Sequence, residues 1–142
     1  MRVYGPIPSR RFGLSLGIDI VPHKTCQLDC IYCQLGPTEA TTVTPACFYP
    51  IADILKDVRE ALSEGPVPDV ITLAGSGDPA LYTDLEALIT QLKQIFSAPV
   101  LLITNGVMLS EPPIARPALQ ADILASSLDA GDPQTVARVH RP

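Results

Sequence analysis

The sequence predicts an α/β fold with parallel strands, built from four successive β–α units. Apolar segments of two kinds alternate along the 142 residues. Short runs rich in valine, isoleucine and leucine are typical of strands buried on both faces, and longer segments with an apolar stripe are typical of helices. Because strands that alternate with helices form parallel sheets with right-handed crossovers, we expect this arrangement here.

The strand segments are short, and each ends at a proline, glycine or polar turn. The first alternates apolar residues with small or polar ones until Pro22. The other three strands follow helical segments and lack this alternation, as buried strands do. The predicted strands are residues 14–21, 70–74, 100–104 and 122–128.

The intervening segments predict helices. The first has apolar residues at i, i+3, i+4, i+7 and i+11, with charged residues on its opposite face. The second opens on Thr83-Asp84-Leu85-Glu86, which fits a capping box. Asp132-Pro133 suits the N-cap and first-turn proline of a last helix. The first three predicted helices cover residues 51–62, 85–95 and 111–119, the third being interrupted by prolines.

Composition limits the class of protein. The chain is 46% apolar, which suffices for a sizeable core, and its net charge of −5 weakly disfavours a nucleic-acid-coating module. No apolar run approaches the ~20 residues that span a bilayer, and the N-terminus lacks a secretory h-region. We therefore expect a cytoplasmic protein, whose clustered cysteines bind metal or do chemistry rather than form disulfides. Four β–α units make an open sheet, so residues 1–142 are expected to form one domain, which is either a small open α/β domain or the front portion of a longer barrel.

Three cysteines are clustered in the loop after the first predicted strand. Cys26, Cys30 and Cys33 stand in the pattern C-x₃-C-x₂-C. Three soft ligands at this density suit an iron–sulfur cluster or a thiophilic metal. A 4Fe–4S cube has four irons, so three local thiolates would leave one iron open, as a catalytic site requires.

Other interpretations of the cluster remain open. Structural zinc would need a fourth ligand, for which Cys47 or His23 could serve, although the spacing matches zinc motifs poorly. A disulfide is less compatible with a reducing compartment. Cys47 stands at no ligand spacing and is expected to be a small buried hydrophobe.

The cysteine pattern, with Tyr32 directly before the last cysteine, resembles the signature of the radical S-adenosylmethionine (SAM) superfamily. The resemblance extends along essentially the whole chain. It is closest to a branch of small Fe–S oxidoreductases related to the tRNA wyosine-base synthases. The motifs that carry this resemblance are Gly5-Pro6-Ile7-Pro8-Ser9-Arg10-Arg11, Ser15-Leu16-Gly17, Lys24-Thr25-Cys26, Gly75-Ser76-Gly77-Asp78-Pro79, Thr104-Asn105-Gly106 and Ser127-Leu128-Asp129-Ala130.

This resemblance implies a fold, cofactors and a reaction. The fold would be the first four units of a partial (βα)₆ radical SAM barrel, with its site at the carboxyl ends of the strands. Cys26, Cys30 and Cys33 would bind three irons of a 4Fe–4S cluster, and SAM would chelate the fourth. One electron, from a donor such as flavodoxin or ferredoxin, would cleave SAM to methionine and a 5′-deoxyadenosyl radical. That radical would abstract hydrogen from an unidentified substrate.

The resemblance also implies cofactor-binding residues. Gly75, Ser76, Gly77 and Asp78 would bring their backbone to the SAM amino group, and Asp78 stands where the branch usually has Glu. Several other polar or aromatic residues have both a ligand-binding and a structural interpretation. Tyr32 would lie near the adenine or pack over the cluster, and Asn105 would contact SAM or serve as a turn residue. Ser127 and Asp129 would contact the SAM carboxylate or ribose, and Asp129 could instead start the next helix.

Three functions are compatible with these residues. The leading interpretation is a radical SAM enzyme that acts on an unknown substrate. tRNA modification, as in the wyosine synthases, is less favoured because those enzymes use extra cysteines, and here only Cys47 remains. A non-catalytic Fe–S or zinc module for electron transfer or interaction is the alternative of a different class. Arg10 and Arg11 are candidates for binding a substrate carboxylate or phosphate.

Overall fold

A computed structural model describes residues 2–38 and 41–142 of the chain. Within these residues, five strands form one sheet with the spatial order β1-β2-β3-β4-β5. The strands are β1 (Val3–Ser9), β2 (Gly13–Ile18), β3 (Val70–Leu73), β4 (Val100–Thr104) and β5 (Ile123–Ser126). The helices are α1 (Ile51–Glu64), α2 (Leu85–Ile95), α3 (Pro112–Ala118) and α4 (Pro133–Val139), and two 3₁₀ helices span Pro79–Leu81 and Val107–Ser110.

The predicted parallel sheet with four β–α units is confirmed for β2 to β5. Each of these strands pairs in parallel with its sequence neighbour, and each is followed by one of the four α-helices. Equivalent rows of the sheet carry Leu16, Ile71 and Val100, then Ile18, Leu73 and Leu102. These six side chains are completely buried and belong to the main hydrophobic core.

The prediction of parallel strands alone is wrong at one edge, because β1 runs antiparallel to β2. Its sequence contains two prolines and a glycine, which usually indicate a turn. Proline is tolerated here because β1 is an edge strand, and its pairing is irregular between Tyr4 and Ile7.

The apolar stripes of the two longest helices pack against the sheet. Ile54 and Val58 of α1 and Leu88 and Leu92 of α2 are fully buried in the core that includes the strand residues. The predicted amphipathic pattern therefore gave the correct buried faces. The capping box was wrong: Asp84 is the N-cap residue of α2, and no side-chain capping hydrogen bond forms there.

Candidate functional site

Four loops that follow parallel strands bring most of the predicted site residues to one edge of the sheet. The cysteines follow β2, the glycine-rich segment 75–79 follows β3, Asn105 follows β4, and Ser127 and Asp129 follow β5. Parallel strands end at the same edge, where α/β proteins generally bind ligands. We call residues 22–36 the cysteine loop.

The three cysteines of the loop are free thiols and are partly exposed. Partial burial raises the pKa of Cys26 and of Cys30 above the ordinary value, and the charges of Cys26 and Cys33 raise the pKa of Cys30 further. The thiols are thus close enough to repel one another as thiolates. A cationic iron centre would offset that repulsion.

Each cysteine sulfur lies within hydrogen-bonding distance of a nitrogen on another side chain. Asn105 Nδ2 lies 3.5 Å from Cys26 Sγ. His140 Nδ1 lies 3.2 Å from Cys30 Sγ, and Lys24 Nζ lies 3.3 Å from Cys33 Sγ. Sequence reasoning gave no role to His140, because a single histidine 110 residues from its cysteine carries no spacing signal.

The end of the described chain holds the middle of the cysteine loop. The backbone N–H of Asp29 donates to His140 O at 3.0 Å, and that of Ile31 donates to Val139 O at 2.9 Å. Arg141 also forms an ion pair with Asp29, at 3.5 Å between Nη1 and Oδ2. The last residue of α4 and the residues after it therefore position a loop that lies more than a hundred residues earlier in the sequence.

The glycine-rich segment holds the start of the same loop. Lys24 N donates to Ser76 O at 2.6 Å, and Asp78 N donates to Thr25 O at 2.9 Å. A Cβ atom at Gly77 would lie 2.0 Å from Thr25 O, and one at Gly75 would lie 2.5 Å from the carboxyl carbon of Asp19. The close backbone approach that these glycines allow in the structure is to the protein itself; their contact with SAM stays a prediction.

The Asp78 side chain forms hydrogen bonds within the protein that the sequence did not predict. Its buried carboxylate accepts hydrogen bonds from Ala80 N at 2.9 Å, from Thr104 Oγ1 at 2.8 Å and from Asn105 N at 3.3 Å. Burial raises the pKa of Asp78, although these hydrogen bonds oppose the increase. The carboxylate ties the loop after β3 to the end of β4, and so helps to set the position of Asn105.

A cleft of about 370 Å³ opens beside the cysteine loop at the ends of β4 and β5. Its volume lies within the ordinary range for small-molecule sites, about 300–1,000 Å³. Three predicted cofactor-binding residues, Asn105, Ser127 and Asp129, line it together with His140. The residues of segment 75–79 are not among those that line the cleft.

Tyr32 connects the cysteine loop to one wall of this cleft. Its hydroxyl donates to Asp129 Oδ2 at 2.6 Å, and its ring meets the His140 ring edge-on with 5.9 Å between centroids. Desolvation and the bond to Asp129 raise the pKa of Tyr32, so the hydroxyl remains a donor at neutral pH. Tyr32, Asp129 and His140 form one polar cluster next to Cys30.

The structure corrects the expectation for Cys47 and shows where Arg10 and Arg11 lie. Cys47 is exposed, so its expected burial is wrong. It precedes α1 in a segment where Ala46 bridges to Tyr82, and this placement leaves its thiol at the surface. Arg10 and Arg11 occupy the turn between β1 and β2, at the start of the parallel strand β2 and hence at the opposite end from the cysteine loop.

The donor chemistry of the loop fits a 4Fe–4S cluster. Within residues 2–38 and 41–142, no three His, Cys, Asp or Glu side chains are arranged to hold a single metal ion. A 4Fe–4S cube does not require its three cysteines to surround a single point, because each thiolate binds a different iron. The three free thiols of the loop can supply three such ligands.

Comparisons with known proteins agree with this chemistry. The family model described as Radical SAM superfamily matches residues 20–142. A UPF0026 protein of Synechocystis sp. is 38% identical over 99% of this chain and 52% of its own length. A UPF0026 protein of Methanocaldococcus jannaschii is 33% identical over 98% of this chain and 44% of its own length.

A further relative has a different kind of name. A Brachyspira hyodysenteriae protein named GTPase Obg is 47% identical over 99% of this chain, which covers 21% of that protein. The chain thus spans about half, or less, of the length of these curated relatives. Among the helices that the structure describes, none combines the length and apolar character needed to cross a membrane.

Proposed function

The chain belongs to the radical SAM superfamily, and we propose that residues 1–142 act as a core domain that binds a 4Fe–4S cluster and SAM. Cys26, Cys30 and Cys33 would each hold one iron. The cluster, when bound, supplies the electron that cleaves the sulfonium C–S bond of SAM, giving methionine and a 5′-deoxyadenosyl radical that takes hydrogen from a substrate. An external one-electron donor, such as flavodoxin or ferredoxin, would provide the electron.

The observation that carries this proposal is a ligand-sized cleft that opens next to the loop with the three free thiols. The cysteine loop reaches the cleft through His140, which lines it and contacts Cys30. A co-substrate in the cleft would therefore lie beside the cluster. This is the juxtaposition that direct chelation of an iron by SAM requires.

The chain's own residues would bind and orient SAM. Asn105, Ser127 and Asp129 offer amide, hydroxyl and carboxylate groups on the cleft wall, which suit the amino acid and ribose parts of SAM. Tyr32, which is 52% exposed, would lie against the adenine. Outside the lining of the cleft, the backbone of Gly75, Ser76 and Gly77 would accept from the SAM amino group, and Asp78 would keep that backbone in place through its hydrogen bond from Thr104 of β4.

Anaerobic reconstitution followed by electron paramagnetic resonance (EPR) spectroscopy tests the proposal. The reduced wild-type chain should show a 4Fe–4S signal that changes when SAM is added. Cys33→Ala should lose most of this signal. Cys47→Ala is the matched control, because Cys47 is exposed and away from the loop, and it should behave as the wild type.

The cleft residues need a separate variant. Asp129→Ala should keep the cluster and its signal while a higher SAM concentration becomes necessary to change the signal. A wild-type chain that binds no iron and sulfide would overturn the proposal. A cluster whose signal ignores SAM would instead identify a non-catalytic electron carrier.

A further inference from the structure

We infer that Lys24, His140 and Asn105 form a set of N–H···S donors, one for each cysteine, that stabilises the reduced cluster. The inference rests on the proposed function, since it concerns how the chain would set the reduction potential of the cluster that it binds. Lys24 and His140 are positioning residues, because they would act through the cysteine sulfurs rather than on a substrate. Asn105 would act through Cys26 in addition to the SAM contact proposed for it.

The donors come from three separate parts of the chain and reach three different sulfurs. Lys24 lies in the cysteine loop, Asn105 follows β4, and His140 follows α4. Their nitrogens lie 3.2–3.5 Å from the sulfurs of Cys33, Cys26 and Cys30 respectively. All three distances fall within the range for hydrogen bonds to sulfur, and no sulfur receives two of these donors.

Other contacts fix the orientation of each donor. The Asn105 amide donates through Nδ2 to Gln27 Oε1 at 2.8 Å and accepts through Oδ1 from Val107 N at 2.9 Å. Its nitrogen is thereby the atom that faces Cys26. The Lys24 backbone adopts a φ of 60°, and its ammonium also donates to Gly36 O. His140 is 8% exposed and held by the backbone bond to Asp29.

Electrostatics gives the direction of the effect. A cysteine bound to iron is a thiolate, which accepts hydrogen bonds and donates none, so the facing nitrogen of His140 must carry its proton. One-electron reduction adds a negative charge to the cluster. Hydrogen bonds to the sulfurs, and the positive charge of Lys24, favour the more negative state and raise the reduction potential. Lys24 should therefore have the largest single effect.

Potentiometric titration of the reconstituted full chain, followed by EPR, measures this effect. Mutation of an outer-sphere partner typically costs about 10–100-fold in metal affinity or activity. Taking the lower end of that range for the reduction equilibrium, we expect Lys24→Met to lower the one-electron reduction equilibrium constant about tenfold. A tenfold change corresponds to about 59 mV more negative for one electron. Lys24→Arg, which keeps both charge and N–H, should stay close to the wild type.

A matched control separates the sulfur contact from charge alone. Arg141→Gln removes a positive charge next to the same loop, but Arg141 contacts the Asp29 carboxylate and no sulfur in the described contacts. Its potential should shift less than that of Lys24→Met. Asn105→Ala and His140→Phe should each give a shift to more negative potential while iron and sulfide contents remain those of the wild type.

The outcomes distinguish this inference from the proposed function. A wild-type chain without a SAM-responsive cluster means that the proposed function fails. A SAM-responsive cluster whose potential is the same in Lys24→Met, Asn105→Ala, His140→Phe and the wild type overturns the inference alone. Failure of all three variants to hold a cluster also overturns it, because the residues would then hold the loop rather than adjust the potential.

Discussion

Replacing Gly77 by alanine adds a methyl group at a position where the structure leaves no space for it. The new Cβ would lie 2.0 Å from Thr25 O and 2.9 Å from a methyl carbon of Val21. Ordinary contacts begin near 3.4 Å, so the Thr25 carbonyl must move by about 1.4 Å, the difference between 3.4 and 2.0. Because this carbonyl belongs to backbone, it cannot rotate away as a flexible side chain would.

The cost follows from the contacts that would be lost. Overpacking of this kind costs roughly 1–3 kcal/mol. The Thr25 carbonyl also accepts the hydrogen bond from Asp78 N, at 2.9 Å, and losing such a bond adds roughly 0.5–1.5 kcal/mol. We expect Gly77→Ala to lower the free energy of unfolding by about 2–4 kcal/mol. In a chain of this size that corresponds to a fall in melting temperature of very roughly 6–12 °C.

Urea unfolding followed by circular dichroism measures this difference, and Gly131→Ala is the matched control. A Cβ at Gly131 would meet nothing within 4 Å, and its φ lies outside the left-handed region. Its stability should change by less than about 0.5 kcal/mol. Because Thr25 directly precedes Cys26, Gly77→Ala should also retain less iron after reconstitution. Equal unfolding midpoints for the two variants would refute the packing argument.

Two further expectations concern buried polar groups. Burial raises the pKa of Asp78, so the folded state takes up a proton more readily than the unfolded state. The stability of the wild type relative to Asp78→Asn should therefore fall as the pH rises from about 4, the pKa of Asp in the unfolded chain, through the higher pKa of Asp78 in the folded chain. A stability difference that does not change with pH would contradict the raised pKa of Asp78. Tyr82→Phe removes a 2.6 Å bond from a buried hydroxyl to Tyr49 O and should cost about 1 kcal/mol in thermal unfolding. Tyr4→Phe, which removes a 3.4 Å bond at an exposed site, should cost clearly less, and equal losses would contradict this explanation.

Local sequence patterns were sufficient to predict the helices and strands in which buried residues recur at regular spacing. The stripes of α1 and α2 and the apolar runs of β3 and β4 were predicted within a few residues, because each pattern reflects contact with one continuous core. β1 was missed because its prolines resemble a turn, and an edge position that tolerates them depends on the rest of the sheet. The strand predicted over residues 14–21 stops at Ile18, since its last apolar residues are buried without pairing to β3.

Some features of the candidate site could likewise be predicted from the local sequence, and others could not. The cysteine spacing and the polar residues after the strands are local features, and parallel strand order brings them to one edge. The contacts of His140 with Cys30 and of Asp78 with Thr104 are not local, since they join residues 110 and 26 positions apart. No periodicity or motif spacing records such pairs.

The sequence alone thus determined the order of the parallel strands and their helices, the amphipathic faces and the presence of a three-thiol loop, because each is encoded within a short stretch of chain. The tertiary structure decided what surrounds the thiols: which nitrogens face the sulfurs, which carbonyls fill the space beside the glycines, and where the cleft opens. The physical reason is that hydrogen bonds and packing act through space, and folding sets the distances between segments that the order of residues leaves free.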